Sequence, residues 1–350
     1  MDRAMDTVND FRGWIPVRVY PHANDFWVDW LRLGATPLTE PFFHQSIQEV
    51  LRHPFHQGFR RQTPIGDLLK WSERSPGLPP SGFIFHASRC GSTLISQLFA
   101  ASESNIVYSE PPALDTLLRS LQRFPGWPPA TRIACLQALL SAWGQPLADT
   151  GTPPRKHVVV KQDGWSSLNA PLVKAAWPDT PWVFLYRDPV EILVSQMRQR
   201  AAFLIPGVVD WTSHDVATTD DAEFEPVAYC AQRLGAMLEA MVRYFDPGTT
   251  LLVNYSELPA SVMTRVAPHF GMALDSAQIA GFEAVLARNA KNPAQSFSAD
   301  SVSKQQDADA HTRAMANRWM QPHYQQLEAL RQRQIHGTPA SQQPQTAQAI

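Results

Sequence analysis

The chain has 350 residues, 44% hydrophobic and 18% charged, which fits a globular fold and not a disordered one. That length allows one large domain or a domain with substantial additions. Lys plus Arg number 30 against 32 Asp plus Glu, a net charge of −2, so no global basic excess points to nucleic acid or a membrane surface, although a local anion site stays open.

Residues 1–80 are rich in aromatics, proline and histidine and read as an N-terminal helical extension. Thr39 is placed to cap a helix through EPFFHQSIQEVL, with Pro41 in its first turn, and Thr63 followed by Pro64 to cap another through Leu69 and Trp71. His53 and His56 form an HPFH pair with no third ligand in view, so a loop is the better reading than a metal site. The stretch from Pro76 to Gly82 is a proline-rich joint.

From residue 83 short apolar runs alternate with helical patterns. The runs are Phe83–His86, Ile106–Tyr108, Val158–Lys161, Trp182–Tyr186 and Thr250–Tyr255. Between them the spacing predicts helices over Thr93–Ala101, Leu114–Phe124, Ile133–Trp143, Ala170–Ala176, Val190–Phe203 and Val227–Phe245. Strands alternating with helices give an α/β domain with a parallel sheet and helices on both faces. It is expected over residues 81–330, with a disordered tail over 331–350 that is rich in Gln, Ala, Thr and Pro. Residues 205–226 make a long acidic loop, a lid or a disordered segment. Cys90, Cys135 and Cys230 are too widely spaced for a disulfide scaffold or a CxxC zinc site. No run approaches the ~20 apolar residues of a membrane span, and the N-terminus lacks the apolar core of a signal peptide. The expectation is a soluble, cytoplasmic protein.

The strongest local signal is FIFHASRCGSTLISQLFA, residues 83–100: a strand, a loop of small residues, then an amphipathic helix. That geometry aims backbone N–H groups and the positive end of a helix at one anion. Gly91 permits close backbone approach, Ser92 and Thr93 supply hydroxyls, and Arg89 supplies a positive fork. It is not a Walker A loop: with Gly91 aligned to the second glycine, Ser92 stands where the lysine should be and His86 where the first glycine should be. A second element, FLYRDPVEILVSQMRQR, is a strand ending in Arg187-Asp188-Pro189 with Ser195 eight residues after the arginine. Arg187 then lies at the carboxyl end of a strand, where open α/β sheets bind ligands. The alternative for Arg187 and Asp188 is a structural salt bridge, which the presence of the first loop disfavours.

SRCGST after an apolar strand resembles the 5′-phosphosulfate loop of the sulfotransferases, enzymes that move a sulfuryl group from 3′-phosphoadenosine 5′-phosphosulfate (PAPS) to an acceptor. The resemblance covers roughly residues 83–320 and is closest in motif style to the Golgi-type and tyrosylprotein members. It implies a P-loop-type three-layer sandwich whose five-stranded parallel sheet has the order 2-3-1-4-5, with Phe83–His86 central. It implies PAPS as donor, PAP as product and no required metal. Arg89, Cys90, Gly91, Ser92 and Thr93 would hold the 5′ end, and Arg187 and Ser195 the 3′-phosphate. LLVNYSELP resembles a family segment in which Tyr255 would meet the nucleotide, although it could equally pack the sheet edge; Asn254 replaces the usual basic residue there. SADSVSKQQ resembles a late family loop whose Ser301 and Lys304 would touch the nucleotide, although a solvated loop reads nearly as well.

The catalytic expectations follow from the same resemblance. Glu110, after the second strand and 21 residues beyond Arg89, matches the family's general base; the alternative is an exposed residue opening a helix. Lys161, ending the third strand, would help Arg89 stabilise the transferring sulfonate, or else pair with Asp163. The implied reaction is transfer to a hydroxyl or amine acceptor whose identity the sequence leaves open. The N-terminal region and the 205–226 loop are placed to shape the acceptor site. The rival readings are an ATP-dependent, kinase-like P-loop enzyme, against which the missing loop lysine argues, and a non-catalytic nucleotide-binding module.

Overall fold

The computed structural model describes residues 10–33, 36–120, 124–146, 154–209, 225–286 and 300–337. Its centre is a sheet of five parallel strands: β4 (Gly82–His86), β5 (Asn105–Ser109), β6 (His157–Lys161), β7 (Trp182–Tyr186) and β8 (Thr250–Asn254), in the order β5-β6-β4-β7-β8. Counted along the chain, that is the expected 2-3-1-4-5. β4 is central, with Phe83 opposite Val160 of β6 and Trp182 of β7.

These strands read as unbroken apolar runs because both faces are covered, as in parallel sheets generally. Phe83, Phe85, Tyr108, Val158, Val160, Trp182 and Phe184 face one core. Their alternates Ile84, Val107, Val159, Val183 and Leu185 face a second core with Ile95, Leu98 and Phe99. The crossovers use α3 (Ser92–Ala100), α4 (Pro112–Leu118) with α5 (Pro129–Trp143), α6 (Ala170–Ala176), and α7 (Pro189–Arg198) with α8 (Pro226–Arg243). After β8 come α9 (Ser276–Leu286), α10 (Ser301–Asp307), α11 (Ala310–Trp319) and α12 (Gln321–His336).

The N-terminal region corrects the expectation of a helical extension. It holds a three-stranded antiparallel sheet, β1 (Trp14–His22), β2 (Asp25–Arg32) and β3 (Arg60–Pro64), with α1 (Phe43–Leu51) and α2 (Ile65–Arg74) beside it. α1 begins at Phe43 with Phe42 in the cap position and no side-chain cap bond, so Thr39 is not the cap. Thr63 is a strand residue paired with Val28, its hydroxyl accepting from Trp30 Nε1 at 2.9 Å, and α2 starts from Pro64 instead. α7 stops at Arg198, short of Phe203, where Gln199 turns extended. SVSKQQ is the helix α10 and not a loop. α12 runs to His336, inside the segment assigned to a tail; residues 338–350 lie outside the described residues, as do 210–224 of the acidic loop.

Candidate active site

The carboxyl edge of the parallel sheet gathers the site. The loop after β4 turns through left-handed backbone at Ser88 (φ 62°), Arg89 (φ 51°) and Gly91 (φ 89°) before α3 begins. A Cβ on Gly91 would stand 2.6 Å from Leu258 Cδ1 and 3.1 Å from the Tyr255 ring, so both conformation and space require glycine here. The first N–H groups of α3 have no carbonyl ahead of them. Ser92 and Thr93 line a cleft of about 650 Å³ together with Arg89, Glu110 and Asp163. Arg89 reaches across the cleft and donates to the Gln199 carbonyl. Cys90 faces the other way: its thiol is buried, donates to the Leu185 carbonyl at 3.2 Å, and burial pushes its pKa up to about 12, so the side chain is no nucleophile. Only its main chain can meet an anion.

Strand alternation sets the next residues. Ser109 and Lys161 are register partners at the ends of β5 and β6 and follow Val107 and Val159 on the α3 side of the sheet. Lys161 is 0% exposed. Its Nζ lies 3.3 Å from Thr93 Oγ1, 3.4 Å from Ser109 Oγ, 4.8 Å from the centre of the Phe42 ring and 2.6 Å from Glu110 Oε1. Its carboxylate partner is therefore Glu110 and not Asp163, which accepts from the Gly164 N–H at the start of a short 3₁₀ turn. Glu110 is also not an exposed helix residue: it stands at φ 52°, its N–H bound to the Lys161 carbonyl at 2.9 Å, and its carboxylate lines the cleft. Left-handed backbone at a non-glycine residue is strained and concentrates at functional sites. Burial alone would raise the Glu110 carboxyl, but the Lys161 ammonium and then His86 outweigh it and hold the pKa well below the usual carboxylate range.

His86 is a member the sequence reading passed over as a misplaced Walker glycine. Its Nδ1 accepts from the Ser88 N–H at 3.1 Å, which puts the proton on Nε2. Nε2 lies 3.0 Å from the Gln162 carbonyl and 3.5 Å from Glu110 Oε1. Burial lowers its pKa, so it is a neutral donor that ties the loop to the carboxylate. Beside it, Asp163 is pushed up to about 8, first by burial and then by Glu110 and Asp115.

A second cluster forms around Arg187, which is 3% exposed. Its Nε donates to Glu191, one turn along α7, and its Nη2 to Asp300 Oδ1 at 2.7 Å and Ser301 Oγ at 3.0 Å. The guanidinium stacks 3.8 Å from the centre of the Tyr255 ring. Lys304 Nζ is 2.7 Å from Asp300 Oδ2. Ser301 and Lys304 reach one point because three residues apart on α10 share a face. Asp188 takes no part in a salt bridge with Arg187; it caps α7, accepting from the Val190 and Glu191 N–H groups. Ser195 lies half-buried farther along α7, and its hydroxyl has no side-chain partner among the described residues. Glu191, Asp300 and Gln199 lie inside the quoted segments, but the sequence assigned none of them a role. Among the described residues no group of three His, Cys, Asp or Glu side chains could hold a metal ion.

The glycine loop after β4 and a separate buried arginine cluster thus lie at one edge of a parallel sheet, the carboxyl edge at which open α/β folds bind ligands. The sequence profile of the sulfotransferase family matches residues 80–276, more than half of the chain, and the chain belongs to that family. Among solved structures it is similar to a sulfotransferase domain from the curacin biosynthetic pathway, at 13% identity and a TM-score of 0.39 over 69% of this chain and 98% of that one. Sulfotransferase STF9 from Mycobacterium avium matches at 12% identity and a TM-score of 0.42, over 71% of this chain and 78% of that one. A sulfotransferase from Alicyclobacillus acidocaldarius matches at 15% and 0.41, over 73% and 96%. A search of curated proteins finds no match. No helix among the described residues is long and apolar enough to cross a membrane.

Proposed function

We propose that the protein moves the sulfuryl group of PAPS to a hydroxyl or amine acceptor by in-line transfer, with Glu110 as general base. The observation that carries this reading is the 2.6 Å Lys161–Glu110 pair, set beside the phosphate loop and open to the cleft. PAPS supplies an activated phosphosulfate anhydride, so the protein mainly positions and stabilises. Arg89, Ser92, Thr93 and the main chain at Cys90 and Gly91 bind the 5′ end. Arg187, Ser195, Ser301 and Lys304 bind the 3′-phosphate, with Tyr255 against the nucleotide.

Glu110 takes the acceptor's proton as the acceptor attacks sulfur, while Lys161 and Arg89 stabilise the charge left on the departing phosphate oxygen. A carboxylate paired as tightly as Glu110 is ionised but weakly basic. A sulfonate beside Lys161 would share the ammonium charge and return basicity to Glu110 when donor and acceptor are both in place. Calorimetric titration with PAP, ATP and ATP–Mg²⁺ tests the donor: PAP should bind tightest. A clear preference for ATP–Mg²⁺ would move the protein to phosphoryl transfer, and PAP binding without any PAPS turnover would make it a binding module.

A further inference from the structure

Among the residues around Arg187, Asp300 is the one whose position its own helix does not explain. It stands at the N-terminus of α10, yet its side chain does not cap that helix. Its two oxygens instead span two buried cations, Oδ1 on Arg187 Nη2 and Oδ2 on Lys304 Nζ, each at 2.7 Å. Arg187 and Lys304 are nearly closed off, at 4% and 5% side-chain exposure, while Asp300 is 41% exposed. Glu191, the other carboxylate on Arg187, is buried and fixed one turn away on α7. The cluster thus holds two cations and two carboxylates and is already neutral. A phosphate dianion added with Asp300 in place would leave two uncompensated negative charges in a largely buried site, which is strongly disfavoured.

We propose that Asp300 is an internal counter-anion that competes with a 3′-phosphate for Arg187 and Lys304 and so tempers the affinity of that position for a dianion. Binding is then an exchange. A 3′-phosphate spans Arg187 and Lys304 with two of its oxygens and displaces the half-exposed carboxylate; a nucleotide with a plain 3′-hydroxyl leaves Asp300 where it is. This inference rests on the assignment of the Arg187 cluster to a 3′-phosphate.

The test is calorimetry of PAP and of AMP with the unaltered protein, with Asp300→Asn, and with Asp307→Asn, which removes the same charge from the same helix at its surface pair with Arg198. Removing an internal competitor is worth a coupling of about 5- to 50-fold, so Asp300→Asn should bind PAP tighter by that factor. AMP affinity should stay within about twofold in every protein, which also verifies that the variants are folded, and Asp307→Asn should match the unaltered protein for both ligands. PAP bound by the unaltered protein but no tighter, or more weakly, by Asp300→Asn would overturn the inference and leave the 3′-phosphate assignment standing. Equal tightening of PAP and AMP, or the same gain from Asp307→Asn, would overturn it by showing a general charge effect. PAP binding no better than AMP in both the unaltered protein and Asp300→Asn would remove the inference and the assignment together.

Discussion

Arg187 is held from four sides, by Glu191, Asp300, Ser301 and the Tyr255 ring, and so presents a fixed fork at the sheet edge. If it meets a 3′-phosphate, Arg187→Ala should weaken PAP binding by about 1.5–3 kcal/mol and adenosine 5′-phosphosulfate binding far less. The comparison between ligands matters because the substitution also strands buried Glu191, a defect both ligands share; equal weakening would remove the assignment. His86 makes a different prediction. A neutral imidazole that only orients Glu110 is a positioning residue, so His86→Ala should lower kcat more than it raises the Kd for PAP, and His86→Gln, which retains a donor, should recover part of the loss. Loss of PAP affinity alone would make His86 a loop support. Arg187, Ser301, Lys304 and Glu110 were singled out in the sequence by their resemblance to family positions. His86 and Asp300 lie in the same quoted segments but were given no role, since their contacts depend on partners brought together from distant parts of the chain.

Among the elements, the five strands of the parallel sheet were readable because burial on both faces leaves no polar alternation to confuse them. The N-terminal strands hid their period. β1 carries Pro16 and Pro21 and shifts register between Pro16 and Arg18, and β2 carries Asp29 in a strand otherwise apolar at its centre. The two glycines of the β4 unit separate fold from binding. A Cβ on Gly82 would lie 2.3 Å from the Phe270 ring, so Gly82→Ala should lower stability by roughly 1–3 kcal/mol through overpacking and leave PAP affinity nearly intact in the folded fraction. Gly91→Ala strains a left-handed residue in the anion loop itself and should lower PAP affinity as well. Denaturation midpoints read beside PAP titrations distinguish the two, and an unaffected Gly91→Ala would show that the loop does not hold the ligand.

At the scale of the molecule, the described residues of the N-terminal region, 10–33 and 36–80, are no appendage. Trp143 donates to the Pro16 carbonyl at 2.8 Å and stacks on Tyr108 at 4.4 Å between centroids, with Phe43 on the same cluster. Phe42 lies over Lys161, and His44 lines the cleft. A chain starting at residue 81 should therefore lose cooperative thermal unfolding, since uncovering large side chains such as Trp143 costs about 1.5–3 kcal/mol each. A single sharp transition in that fragment would make the two parts independent. Asp163 sets a pH slope. Its pKa is raised by folding, so the folded protein holds a proton that the unfolded chain releases, and stability falls as pH rises from about 4 toward about 8. Asp163→Asn still accepts from Gly164 but removes the titration, so its stability advantage over the unaltered protein should grow toward pH 8 and shrink toward pH 4. Parallel stability curves would contradict the shift.

The most direct test of the account is PAPS turnover by Glu110→Gln, followed as PAP formation with a panel of alcohols and amines as acceptors, beside a calorimetric PAP titration of the same protein. Glutamine keeps the shape and removes the basic charge. The account predicts a kcat lowered by about 10²–10⁴ with PAP affinity close to that of the unaltered protein. Full turnover by Glu110→Gln would contradict it.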